Sequence, residues 1–365
     1  MRESRHRGAL RPGMETSAKS SRLHPLLPTS FSDIVDFPGN EPPKILCVID
    51  AEEEFDWSKS FSRSNDSVKT IKSQILAQRV FSRFTLVPTY AVDYPVAAKE
   101  DGYQPLREFA QSGLCEIGAQ LHPWVTPPYE EEVNNVNSFA YNLPEELQRR
   151  KMAALGDVIE QNFGVKPKIL RTGRYGAGRS TIGLLQEFGY EMDCSVVPGP
   201  PITQYSPDYS GAPSKPYWLG NSPRILELPV TAGLVGGLRN FQGVATSIFS
   251  SSLGETIKLP GVLARLGLLN RVRLSPEGHS LEEAKSLTRA LLRDGQRVFS
   301  ISYHSPSLEP GNTPYTGTAR DVERFLGWLE GYLEFFMTEI GGEPATPSQI
   351  YKLAMAASPS PKRAA

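Results

Sequence analysis

The chain reads as an α/β protein on a (β/α) barrel. Seven short apolar runs rich in β-branched and aromatic residues mark strands at 45–49, 84–90, 114–121, 168–171, 190–197, 224–230 and 298–304. Helical patterns lie between them, and strand–helix alternation is the signature of a parallel sheet. Several runs end in polar residues able to do chemistry, as strands do at the C-terminal face of a barrel. A doubly wound sheet is the structural alternative. No G-x-G-x-x-G follows the first run, which counts against a dinucleotide fold.

Taken in order, residues 1–42 are rich in Ser, Pro and Arg and read as a disordered arm, with Met14 a second candidate start. The barrel is expected over 43–342 and a tail over 343–365. Apolar spacing predicts helices over 68–84 and 143–163, the latter started by Pro144 and two glutamates. Further helices are expected over 180–188, stopped by Gly189, over 280–294, and over 319–340, stopped by Gly341-Gly342. Residues 199–223 read as a long loop over the active face. Leu259, Val262, Leu263, Leu266 and Leu269 fall at helical spacing and suggest a buried or docking helix, or one lying on a membrane.

Composition narrows the function. A formal net charge of -1 over 365 residues provides no global field for nucleic acid or an anionic membrane. No nucleic-acid partner and no stable membrane insertion are expected. Cys47, Cys115 and Cys194 form no CxxC and read as reduced thiols. With no apolar signal run near the N-terminus, a cytoplasmic location is expected.

The chemistry gathers at run ends. Asp50 and Glu52 follow ILCVI at i and i+2, so both project to one side of the strand. Such a pair can hold a divalent cation and take a proton from water. Glu53 and Glu54 read as solvated acids. Gln120 and His122 share a face at the end of the third run, and His122 is a candidate ligand. The fourth run ends in Arg171-Thr172-Gly173-Arg174-Tyr175-Gly176. Arg171 can pair with a carboxylate. The glycines offer backbone N–H groups from Gly173 to Gly176 as an oxyanion site, or as a phosphate-binding loop. His304 closes the last run and suits a general acid.

In this order, the acid pair, E-I-G-x-x-x-H, R-x-G-x-Y-G and a late strand ending in His-Ser resemble the polysaccharide deacetylases, carbohydrate esterase family 4, and among them the WalW-like subgroup. The resemblance spans about 44–341. It implies a distorted (β/α)7 barrel, a divalent metal such as zinc, and hydrolysis of an N- or O-acetyl group on an acetylated carbohydrate. It implies catalytic roles for Asp50, Arg171 and His304, and a metal held by Glu52, His122 and Gln120. Gln120 stands where the family pattern has histidine, and Gly173 where it has proline. Trp124 and Tyr175 are candidate substrate-binding residues, and Trp218 and Tyr217 could stack on sugar or pack in the core. The alternatives are a catalytically inactive, carbohydrate-binding relative and a barrel glycosidase. The second is disfavoured because the acids cluster on one strand.

Overall fold

The computed structural model describes residue 24 and residues 26–237 and 269–357. Eleven strands occur among them: β1 (Lys44–Ala51), β2 (Thr89–Val92), β3 (Glu116–Leu121), β4 (Ile169–Thr172), β5 (Met192–Asp193), β6 (Tyr217–Leu219), β7 (Ile225–Glu227), β8 (Ala232–Val235), β9 (Asn270–Arg273), β10 (Val298–His304) and β11 (Glu343–Pro344). The sheet order is β10-β1-β2-β3-β4-β5-β7-β6, with β11 beside β1. The first seven of that row run parallel, and β6 is antiparallel on the edge. β1 is buried on both faces after Lys44, which is why it reads as continuous Ile, Leu, Cys and Val rather than as an alternation.

The sheet curls into an open barrel. The antiparallel β8–β9 pair reaches the free edge of β10, where Ser302 N–H donates to Leu274 O at 3.2 Å and Ser300 N–H to Thr231 Oγ1 at 2.8 Å. The helices are α1 (Gln74–Arg83), α2 (Tyr94–Ala98), α3 (Glu100–Gln111), α4 (Glu145–Phe163), α5 (Arg179–Phe188), α6 (Leu281–Arg293), α7 (Ala319–Thr338) and α8 (Pro347–Ala357). Their ends follow local chemistry. Ser280 and Thr318 form capping boxes with Glu283 and Asp321. Gly164 and Gly189 take φ of 72° and 73° just past α4 and α5, a conformation that costs any other residue strain. No helix among the described residues is long and apolar enough to cross a membrane.

The structure corrects three boundaries. The second run is displaced: Phe84 caps α1, Thr85 turns with φ 52°, and the strand begins at Thr89. Residues 343–357 are not a free tail. β11 pairs with β1, and Ile350 and Ala354 of α8 are fully buried. The expected arm is attached from Leu26 onward: Leu26 is buried in the core, and its carbonyl accepts from the Tyr217 hydroxyl at 2.6 Å. Residues 1–23 and the stripe from Leu259 to Leu266 lie outside the described residues, and Leu269 is buried. The three cysteines are free and buried, as expected.

One buried cation shapes the site's surroundings. The Lys151 side chain on α4 is fully buried and donates to the carbonyls of Pro123, Thr126 and Pro128 at 2.9, 2.6 and 2.8 Å. It also pairs with Glu131 at 3.0 Å. Those bonds fasten the segment that follows β3, which carries His122 and Trp124.

Candidate functional site

The C-terminal ends of the seven parallel strands carry Asp50, Asp93, His122, Arg171, Asp193, Glu227 and His304, at or just beyond each terminus. A parallel barrel brings such positions to one mouth. Asp50 lies directly opposite His304 in the β1–β10 register, and Gln120 opposite Arg171 in β3–β4.

Asp50 is buried and receives a hydrogen bond from Arg171 Nη1 at 2.5 Å. Arg171 also donates through Nε to Cys194 O at 3.1 Å, so its plane is fixed from two sides. Burial lowers its proton affinity, but the Asp50 carboxylate beside it raises it further, and the guanidinium stays charged. The other Asp50 oxygen faces His304 Nε2 at 3.7 Å.

His304 is held by Glu277. Its Nδ1 lies 2.7 Å from Glu277 Oε2, and its backbone N–H donates to Oε1 at 3.0 Å. Ser307 Oγ donates to the same Oε1 at 2.5 Å. Burial pushes the imidazole's proton affinity down, yet the carboxylates of Glu277, Glu52 and Asp50 outweigh it and hold it well above the ordinary histidine range. The imidazole therefore keeps its proton at neutral pH.

A second imidazole mirrors the first. His122 Nδ1 lies 2.8 Å from Glu53 Oε2, and Trp124 Nε1 donates to Glu53 Oε1 at 2.7 Å. Glu53 N–H donates to Asp93 Oδ2 at 2.7 Å. Burial pushes Glu53 up to about 8 and Asp93 well above the usual carboxylate range, so this pair retains a proton near neutrality. His122 Nε2 is left facing Glu52 Oε2 at 3.6 Å, and Gln120 Nε2 donates to that same oxygen at 3.3 Å. Burial is the main reason the Glu52 carboxyl rises to about 7.

Two oxygens here have no hydrogen-bond partner although fully buried: Glu52 Oε1 and Gln120 Oε1. Buried polar atoms are rarely left so, and an ion or water is the usual resolution. A carboxylate oxygen, an amide oxygen and an imidazole nitrogen, the last steered by a carboxylate behind it, make a donor set that fits a divalent cation. Ligand atoms of Asp50, Glu52 and His304 also lie within 4.8 Å of one another, as do those of Glu53, Asp93 and His122. Glu52 thus clusters with Asp50 and His304 while its Oε2 also faces His122 Nε2 at 3.6 Å.

Gly173 makes room for the His122 ring. A Cβ there would stand 2.8 Å from His122 Nε2 and 3.0 Å from Leu121 O. The imidazole lies against a bare α-carbon. Gly173→Ala is expected to displace the His122 ring and to weaken binding of an added divalent cation about tenfold, as loss of supporting contacts does at metal sites. Metal titration, with circular dichroism showing the fold retained, checks this.

Other expected residues land differently. Trp124 is 2 % exposed, stacked on His122 at 4.3 Å and covered by Phe61 at 4.5 Å. It fixes His122 and has no free face for sugar. Tyr175 is also buried, with φ 59° after Arg174 at φ 56°. Trp218 and Tyr217 are packed in the core. Of the expected oxyanion donors, Gly176 N–H is already given to Gly173 O at 3.1 Å. Glu53 is wholly buried rather than solvated, and Glu54 accepts from Ser67 Oγ and Thr70 N–H at 2.7 and 2.6 Å.

Sequence reasoning missed Glu277, Asp93, Asp193 and Glu227. Asp93 carried a signal: it precedes Tyr-Pro at a helix start and accepts from Val96 N–H at 2.8 Å as an N-cap. Asp193 and Glu227 face each other in the β5–β7 register, both fully buried. Burial, and then the charge of Asp193, push Glu227 well above the usual range, so the pair shares a proton. Glu227→Gln keeps that hydrogen bond with an amide. The expected stability change is within about 1 kcal/mol, read by denaturant unfolding.

Two comparisons, with protein-family models and with curated proteins, find no match to the chain. Solved structures do resemble it. Puue allantoinase is 16% identical, with TM-score 0.52 over 97% of this chain and 100% of that one. A candidate polysaccharide deacetylase from Mycobacterium smegmatis is 16% identical, with TM-score 0.48 over 94% and 99%. The peptidoglycan deacetylase PdaC from Bacillus subtilis is 10% identical, with TM-score 0.39 over 88% and 95%. At such identities a likeness speaks for the fold, and the allantoinase match agrees with the curled parallel barrel.

Proposed function

We propose that the chain is a metal-dependent hydrolase that removes an N- or O-acetyl group from a carbohydrate, akin to the polysaccharide deacetylases. One observation carries the reading. An arginine-aligned carboxylate and a carboxylate-backed, proton-bearing imidazole face each other across 3.7 Å, beside orphaned buried oxygens. The resemblance of the motifs and the fold of the solved structures support it.

Glu52, His122 and Gln120 would hold the cation. It would supply Lewis-acid polarisation of the acyl carbonyl and a more acidic water. Asp50, aligned by Arg171, takes the proton of the attacking water as its oxygen bonds to the acyl carbon. His304 gives its proton to the departing nitrogen or oxygen as the bond to the acyl carbon breaks. Glu277 holds the imidazole in place for that transfer. Acetate and the free amine or hydroxyl result. A non-catalytic sugar-binding protein would have no use for these two proton-transfer pairs.

The test is acetate release across acetylated sugars, with metal analysis of the purified chain. Stoichiometric divalent metal and release that stops on chelation and returns on metal addition are expected. No metal, together with no release from any N- or O-acetylated sugar, would overturn the reading.

A further inference from the structure

Arg273 is the last residue of β9, opposite Ala232, and it is half-buried. Among the described residues its guanidinium makes no hydrogen bond and no ion pair. The contrast with Arg171, which is anchored to Asp50 and two carbonyls, is sharp. Arg273's electrostatic neighbours are the hydroxyls of Tyr175 and Tyr315 and the carboxylates of Glu277 and Asp50. Geometry places the end of β9 there too: Leu274, the next residue, accepts from Ser302 N–H on β10 at 3.2 Å, two residues before His304.

Neither carboxylate is paired with it. Both Glu277 oxygens are engaged by His304 and Ser307, and Asp50 is engaged by Arg171. A second guanidinium adds positive charge: Arg271, on the same strand face, donates to the Pro198 carbonyl and to no carboxylate among the described residues. The surrounding carboxylates outweigh the cost of burial and keep Arg273 charged, while its N–H groups stay free to pair with a ligand oxygen.

Trp57 connects the site to an open cleft beside it. Tyr315 lies beside Gly278 and 5.9 Å from the Trp57 ring, which stands 5.1 Å from His304. Trp57 is 38% exposed and, with Asn312 and Thr313, lines an open cleft of about 740 Å³.

We propose that Arg273 binds an anionic group, a carboxylate or a phosphate, carried by the sugar presented to Asp50 and His304. The substrate class is thereby an acidic or phosphorylated sugar. The identification of the substrate rests on the hydrolase reading, but anion binding by Arg273 does not.

The experiment is calorimetric titration of the full metal-loaded chain with D-glucuronate, glucose 6-phosphate and glucose. At least one anionic sugar is expected to bind tenfold or more tightly than glucose, and which one names the group. Arg273→Gln, shown folded by its melting temperature, removes the preference, and Arg273→Lys restores part of it, since lysine keeps the charge without the fork. Equal binding of all three sugars overturns the proposal. So does no saturable binding of either anionic sugar, or a preference that survives Arg273→Gln. Anion binding intact with no acetate released from any sugar would instead fell the hydrolase reading alone.

Discussion

Asp50→Asn is expected to slow acetate release about 10²–10⁴-fold, the usual contribution of a positioned general base. At 1.36 kcal/mol per tenfold, that is about 3–5 kcal/mol of transition-state stabilisation. The substitution keeps an oxygen where Arg171 donates but removes the group that accepts water's proton. It also removes the counter-charge of a buried guanidinium, and leaving such a charge alone costs about 3–5 kcal/mol of stability. The two effects separate by measurement. Turnover at 25 °C on protein shown folded by circular dichroism reports the chemistry, and urea unfolding reports the pair. Arg171→Met combined with Asp50→Asn should recover stability but no turnover. A single variant that keeps wild-type rate would remove Asp50 from the mechanism.

The barrel was legible because its signal is local and repeated. Of the seven expected strands, six fall at or around their apolar runs, since runs such as ILCVI and VFSISYH are buried on both faces and carry no ambiguity of phase. The seventh slipped because Phe84 and Leu86 are apolar for a different reason: they close the end of α1. β6, β8, β9 and β11 were missed because they are only two to four residues long and depend on a neighbour's edge for pairing. The same holds for α8, whose buried Ile350 and Ala354 gave too sparse a stripe among small residues.

The site was legible in part, and the dividing line is physical. Asp50, Arg171 and His304 end strands, so an apolar lead-in announces each of them. Glu277 lies in a loop after β9, and nothing near it in sequence points to His304, which is twenty-seven positions on. Glu53 looked like one more acid in the run Glu52-Glu53-Glu54. Its burial follows from three distant partners converging on it: the His122 ring, the Trp124 indole, and Asp93 after β2, which accepts from the Glu53 N–H. The cost of burying it is met by a retained proton rather than by a cation, which charge counting along a chain does not show. Gln120 and Gly173 looked like damage to the family pattern. The structure makes Gln120 a donor with a free oxygen and Gly173 the space into which His122 fits.

Glu277→Gln tests the other half of the reaction, with a direction fixed by electrostatics. In the wild-type chain burial opposes protonation of His304, and the Glu277 carboxylate is the largest influence against it. A histidine so raised stays charged through neutrality. Activity that needs its proton is therefore present at low and neutral pH and is lost only as pH rises through the raised value. Glutamine keeps a hydrogen-bond acceptor but no charge, so the imidazole falls back toward or below its ordinary value of 6.5. The alkaline limb of the kcat profile moves to lower pH, and at pH 8 the rate falls about 10²-fold, within the usual range for general acid catalysis. Below pH 6 much of the rate returns, because the imidazole is again protonated. A merely structural role for Glu277 would lower the rate evenly at all pH values. Ser307, which donates to the same carboxylate, supplies the control: Ser307→Ala loosens one bond to Glu277 without removing its charge and should leave the limb in place. An unmoved limb in Glu277→Gln would take His304 out of the role of acid, whatever happened to the rate.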